Sequence, residues 1–276
     1  MAAMVSETGQ KQTKKSLRDL IVRGGAIVAA GSGMEQALRF LRNMVVTRLL
    51  LPDQVGVMAI ILAINMALES FTDVGIREAI IQHPDSRNKA YLNGAFIFSF
   101  VRSLVLATIG MLGASLLCGF YHIEHHTGLM RLSFTAMIFN GLMSPRAGIA
   151  LKEMRYAVWV GIMQGAAFFG IASTLVLVYR MRSVDALIIG YVLEAVFRMA
   201  FSYILCPFVP GVATTREHRR ALLTFAQGMA GIPLLNFIFL QADIFVLGKL
   251  VPTATIGLYG MAGSLAGIPV LLVPDR

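Results

Sequence analysis

The sequence predicts an all-α integral membrane protein of about eight transmembrane helices. Three observations carry that prediction. Apolar stretches fill nearly all of the 276 residues, and each is as long as the roughly 20 residues that a helix needs to cross about 30 Å of hydrocarbon. Hydrophobic residues make up 57% of the chain and charged residues 14%, too few charges to clothe a soluble domain of this size. Basic residues cluster in the short connections between apolar runs, the pattern that orients helices in a membrane.

Taken in order, the predicted spans are 24–47, 55–76, 92–120, 128–149, 156–180, 184–208, 222–247 and 254–273. Residues 1–20 form a polar, basic tail without a cleavable secretory signal, since the first apolar run continues into a full-length span. Alternate connections differ in charge. One set holds Lys11, Lys14, Lys15, Arg18, Arg23, Arg77, Arg87, Lys89, Arg146, Lys152, Arg155, Arg216, Arg219 and Arg220; the other holds Arg48, Arg131, Arg180, Arg182 and Lys249. The excess of the first set places the amino terminus and its companion connections in the cytoplasm. The Tyr121–Gly128 connection has neither Lys nor Arg and belongs outside. The net charge of +9 is parcelled among these connections, which argues against a nucleic-acid surface. Cys118 and Cys206 fall near opposite faces of the membrane, so a disulfide between them is not expected.

The connection at 209–221 is basic and separates residues 21–208 from residues 222–276. The two parts share a pattern: Arg48, Pro52 and Gly56 in one, Lys249, Pro252 and Gly257 in the other, with each glycine eight residues after its cation. Spans 7 and 8 therefore read as a second copy of spans 1 and 2, displaced by 201 residues. Repeated halves are a common way to build a central site with alternating access.

Four arginines, Arg39, Arg42, Arg102 and Arg198, lie well inside the predicted spans. An arginine at that depth is costly unless it faces protein or a water-filled cavity. Glu35, Arg39 and Arg42 fall on one face of span 1, and Glu194 and Arg198 on one face of span 6. Arg102 has no acid one turn away and needs a partner on another helix or in a ligand. Two readings stand side by side: ion pairs that fix helix packing, and cations that line an aqueous vestibule for an anionic substrate. Guanidinium suits the second role because its planar donors match phosphate oxygens in pairs. Glu69, Asp73 and Arg77 repeat a four-residue step on span 2, either as an interfacial ion-pair ladder or, for the acids, as an ion-coupling site. Asp243 on span 7 fits a packing hydrogen bond or ion coordination.

Other features point to no separate chemistry. His122, Glu124, His125 and His126 sit in one short connection, which is more simply a solvated loop than a metal site. Gly31-Ser-Gly33 follows no strand, and no nucleophile is paired with a base. No metal, cofactor or catalytic residue is expected.

Four segments in order resemble a known family: Arg48-Leu-Leu-Leu-Pro-Asp-Gln-Val-Gly-Val-Met-Ala59, Asp73-Val-Gly-Ile-Arg-Glu-Ala-Ile-Ile-Gln82, Ser144-Pro-Arg-Ala-Gly-Ile-Ala-Leu-Lys-Glu-Met-Arg-Tyr156, and Asp243-Ile-Phe-Val-Leu-Gly-Lys249 with Ile256-Gly-Leu-Tyr-Gly-Met-Ala262. They look like the polysaccharide-exporting branch of the multidrug/oligosaccharidyl-lipid/polysaccharide exporter superfamily. That resemblance implies a transporter of the bacterial inner membrane that flips polyprenyl-pyrophosphate-linked oligosaccharide, working beside other polysaccharide assembly proteins. It also implies two six-helix lobes, so the chain is expected to be an amino-terminal fragment, a six-helix lobe followed by the first two helices of a second lobe. The alternatives are a multidrug or cation exporter of the same superfamily, which the excess of buried arginine disfavours, and a membrane oligosaccharide polymerase or ligase, for which the external connections are short.

Overall fold

A computed structural model describes residues 2–72, 75–211, 213–229 and 231–266. Among them there are eleven α-helices, one short 3-10 turn and no strand: α1 Ala2–Leu49, α2 Pro52–Thr72, α3 Ile76–Gln82, α4 Lys89–Phe120, α5 Thr127–Gly141, α6 Arg146–Lys152, α7 Tyr156–Met181, α8 Val184–Leu205, α9 Arg216–Met229, α10 Gly231–Leu250 and α11 Thr253–Ala266, with the 3-10 turn at Glu124–His126. The protein is an all-α membrane protein. Pro52–Ser70, Lys89–Phe120 and Tyr156–Met181 are by length and composition sufficient to cross a membrane. Leu112, Leu116 and Phe239 are 79%, 80% and 88% exposed, an outward apolar surface that water would not tolerate but acyl chains would.

Three predicted spans differ in their boundaries, each for a local reason. Span 4, read as 128–149, is two helices: α5 stops at Gly141 and α6 begins at Arg146. Pro145 disfavours helical backbone at Ser144, and the exposed polar groups find partners across the bundle. The Ser144 amide donates to Ser202 Oγ at 3.0 Å, and Ser144 Oγ donates to the Cys206 carbonyl at 2.7 Å. Span 2, read to residue 76, ends at Thr72, and α3 starts after Gly75, whose φ of 61° is a left-handed conformation that glycine adopts without cost. Arg77 consequently lies on a different helix from Glu69, which corrects the ladder expected along span 2. Span 7 comprises α10 preceded by the amphipathic α9, so the connection read over 209–221 is helical from Arg216.

The helices pack as a bundle in which α7 lies along α8 and α1, α5 along α4 and α8, and α2 along α10 and α11. The main core joins Ile60, Ile61 and Ile64 of α2, Leu106 and Ala114 of α4, Met130, Phe134 and Met137 of α5, Ile188 of α8 and Ile256 of α11. Gly110 of α4 gives the Phe134 ring its place, a Cβ there falling 2.9 Å from the ring. Asn65 lies fully buried on α2 and donates to Ser133 Oγ of α5 and to the Ile61 carbonyl, both at 2.8 Å, a polar tie within an apolar layer.

Bonds between the connections gather them at the two ends of the bundle. At one end Arg87 pairs with Glu153 at 2.7 Å, Lys152 bonds the His83 carbonyl and Ser86 Oγ, and Arg146 bonds the Pro207 carbonyl at 2.7 Å. Asn93 of α4 holds the following strap through Gly211 N and the Ala213 carbonyl. At the other end Lys249 donates to the Phe120 carbonyl at 2.8 Å and lies over the Phe120 ring, and Thr253 bonds Asp53. Cys118 and Cys206 are both free and buried.

Candidate functional site

The predicted charges assemble largely into one network across four helices. Glu194 of α8, its side chain 9% exposed, accepts through a single oxygen from two guanidiniums: Arg39 of α1 at 2.8 Å and Arg198 of its own helix at 3.0 Å. Arg39 also bonds Glu35 one turn away, at 2.8 Å. Arg198 reaches on to Asn140 Oδ1 of α5 at 3.1 Å, and Asn140 Nδ2 donates to Glu69 of α2 at 3.4 Å. The four-residue spacings in α1 and α8 set the same-helix pairs. The α1–α8 and α8–α5–α2 links exist only in the folded bundle. Gly170 of α7 lies directly against the Glu194 Cβ, so α7 and α8 approach closely where the acid is held.

Two of the four arginines meet in a cavity of about 400 Å³, a volume within the usual range of about 300–1,000 Å³ for small-molecule sites. Arg102 of α4 and Arg198 of α8 line it together with Glu69, Ser99 and Asn140. The end of α5 and the Ser144-Pro145 turn form one wall, and Gly141 there lies against Ser103 and the Ser99 carbonyl of α4. Arg77, Glu78 and Trp159 line the cavity toward the end of the bundle that gathers the basic connections. Arg77 pairs with Glu78 at 2.9 Å, and its guanidinium carbon sits 5.4 Å from the centre of the Trp159 ring.

Arg39 and Arg42 stand apart from these walls. Arg39 is engaged by its two carboxylates, and Arg42 bonds Asn43 Oδ1 at 3.1–3.3 Å. Asp243 accepts from the Tyr259 hydroxyl of α11 at 2.6 Å and from the Ile244 amide, a bond that joins α10 to α11. Asp73 lies outside the described residues. Asn140, Ser99 and Trp159 are site residues that sequence reasoning missed. For Asn140 a signal existed, because an amide inside an apolar run needs a partner as a charge does.

Positive charge outnumbers negative on the cavity walls. Three arginines and two glutamates line the cavity, and one of those acids, Glu78, is held by Arg77. Arg198 shares its carboxylate oxygen with Arg39, so part of its positive charge remains available to a ligand. Bidentate donors of this kind recognise phosphate oxygens.

Comparison with known proteins agrees with the resemblance in the four segments. No curated protein and no solved structure matches the chain. A family model described as polysaccharide biosynthesis protein matches residues 45–274, a range that takes in α2 through α11 and every residue lining the cavity. A helical membrane bundle with an arginine-lined cavity, matched over most of its length by that model, belongs to the polysaccharide biosynthesis protein family.

Proposed function

We propose that the chain serves in flipping polyprenyl-pyrophosphate-linked oligosaccharide across the bacterial inner membrane. The observation that carries this reading is the convergence of Arg102 and Arg198, from two helices, on one cavity within a membrane bundle. In this mechanism the pyrophosphate sits between the two guanidiniums, the saccharide occupies the aqueous cavity, and the polyprenyl tail stays in lipid. Arg39 is a positioning residue: it anchors Glu194, which in turn orients Arg198. Arg42 extends the cationic face of α1. Glu69, tied to Arg198 through Asn140, is the best-placed acid for ion coupling, since its protonation would loosen the Asn140 link beside the substrate. A cationic cargo fits less well, because positive charge predominates on the cavity walls. Alternating access follows if a second lobe closes over this one.

Substitution separates the transport role from packing. Arg102→Lys and Arg198→Lys keep the charge and lose the paired planar donors, so export of surface polysaccharide, normalised to protein in the membrane, should fall on the order of tenfold, as expected for about 1.4 kcal/mol of lost substrate interaction. The alanine variants should fall further. Export that drops only in proportion to protein abundance would sink the substrate role.

Orientation is tested separately. With the amino terminus cytoplasmic, a cysteine at His125 labels from outside with an impermeant maleimide in intact spheroplasts. Cysteines at Thr13 and at Ala213, which is exposed in the connection, label only after permeabilisation. The two native cysteines are buried, which keeps background low. Labelling at Thr13 from outside would reverse the orientation.

A further inference from the structure

We infer that Trp159 is a saccharide-stacking platform, a subsite beside the pyrophosphate contacts, with Arg77 as its movable cover; the inference rests on the flipping reading above. Trp159 is the only tryptophan in the chain. It sits on α7 and lines the same cavity as Arg102 and Arg198, while its apolar surroundings on α6 and α7 hold it in place: Ala147, Ala150 and Ile162 form a buried cluster against which it packs.

The chemistry selects a sugar. An aromatic ring presents a negative face, and a pyranose presents a face of weakly positive C–H groups, so the two pack together while the sugar hydroxyls turn to polar neighbours. A pyrophosphate alone has no use for that surface. Polar groups that hydroxyls can reach lie in the same cavity at Ser99, Asn140 and Glu69.

Arg77 explains how the platform stays available. Its guanidinium carbon is 5.4 Å from the ring centre, near the outer limit of about 6 Å for a cation–π contact. The Arg77 side chain is 54% exposed and pairs with Glu78, its sequence neighbour. Both interactions are weak in water. Nothing costly is broken when Arg77 swings aside, and once displaced it remains close enough to bond a sugar hydroxyl.

Binding of two probes to the purified chain in lipid nanodiscs tests the subsite: a short-chain prenyl pyrophosphate, and the same compound carrying one N-acetylhexosamine on its pyrophosphate. Wild type should bind the sugar-bearing probe roughly three- to tenfold tighter, the range expected for an aromatic contact. That probe alone should shift the emission of the sole tryptophan. Trp159→Leu should bring the ratio of the two affinities to about one, and Trp159→Phe should keep most of it. Should Trp159→Leu be recovered only as aggregate, the phenylalanine variant and the wild-type emission shift decide the matter. Equal affinities in wild type, an equal emission shift with both probes, or an unchanged ratio in Trp159→Leu would overturn the subsite while leaving the flipping reading intact. Failure of both probes to bind, together with export unaffected by Arg102→Ala and Arg198→Ala, would overturn both.

Discussion

Glu194→Ala is expected to lose about 3–5 kcal/mol of stability, the usual cost of removing one partner from a buried ion pair, and to leave little folded protein in the membrane. The reason is the sharing of one carboxylate. Arg39 and Arg198 both donate to the same Glu194 oxygen, so its removal strands two guanidiniums at once and breaks the tie between α1 and α8. Arg39→Ala should cost less, since Glu194 keeps Arg198. Glu194→Gln should be intermediate, because an amide oxygen still accepts but no longer neutralises. Alanine retains the Cβ that packs on Gly170, so the loss is electrostatic and not a failure of the α7–α8 contact. Thermal unfolding of the purified chain, followed by monodisperse recovery, measures the effect. A combined Glu194→Leu, Arg39→Met, Arg198→Met variant supplies the decisive comparison: replacing a buried charge cluster by apolar groups is often neutral or stabilising. If that triple variant is no more stable than Glu194→Ala, the cost lies in shape and not in stranded charge.

That network marks the boundary of what the sequence makes legible. Spacing alone puts Glu35 with Arg39 and Glu194 with Arg198, and the structure has both bonds. It also predicts that the charged face of α1 turns away from lipid; in the structure α1 packs along α7, and the Arg39 side chain reaches Glu194 of α8. The partner itself was not legible, because 155 residues separate the pair and no periodicity reaches across a bundle. Asn140 shows the same limit. It lies in an otherwise apolar run, and its importance comes from standing between Arg198 and Glu69, a position that only the packing of α5 against α8 and α2 creates. Trp159 drew no attention in the sequence because a lone aromatic in a helical run is ordinary core.

The fold was legible wherever hydrophobicity decides and less so where a turn does. Long apolar runs give α4 and α7 nearly to the residue. At Ser144-Pro145 the apolar pattern continues through the break, so a hydrophobicity reading joins α5 to α6. The stop is encoded in proline sterics and in acceptors supplied by Ser202 and Cys206. The end of α2 is similar, where Gly75 adopts the left-handed backbone that separates α3. Arg87, Arg146 and Lys152 meet at one end through bonds to Glu153, Pro207, His83 and Ser86.

Gly56→Leu is expected to part α2 from α11, and Gly257→Leu should do the same to a similar degree. The two glycines occupy equivalent places in the repeat that relates Arg48–Gly56 to Lys249–Gly257. In the folded chain they meet: a Cβ on Gly56 would run into the Thr253 carbonyl, and a Cβ on Gly257 into the Pro52 carbonyl. Residues 52 and 253 differ by the same 201 positions as residues 56 and 257, so the contact is reciprocal, as at a local two-fold axis. Backbone stands on both sides, and no side chain can yield. Even alanine should be costly here, with overpacking penalties of about 1–3 kcal/mol or more, whereas Gly263→Ala on the same helix faces open space and should be tolerated. The Asp53–Thr253 contact gives a direct measurement. Cysteines at these two positions should cross-link readily in the otherwise unaltered chain and poorly when either glycine is leucine. Cross-linking that survives Gly56→Leu would show that the helices do not depend on this close approach. A large effect from one glycine and none from the other would break the reciprocity on which the two-fold relation of the repeats depends.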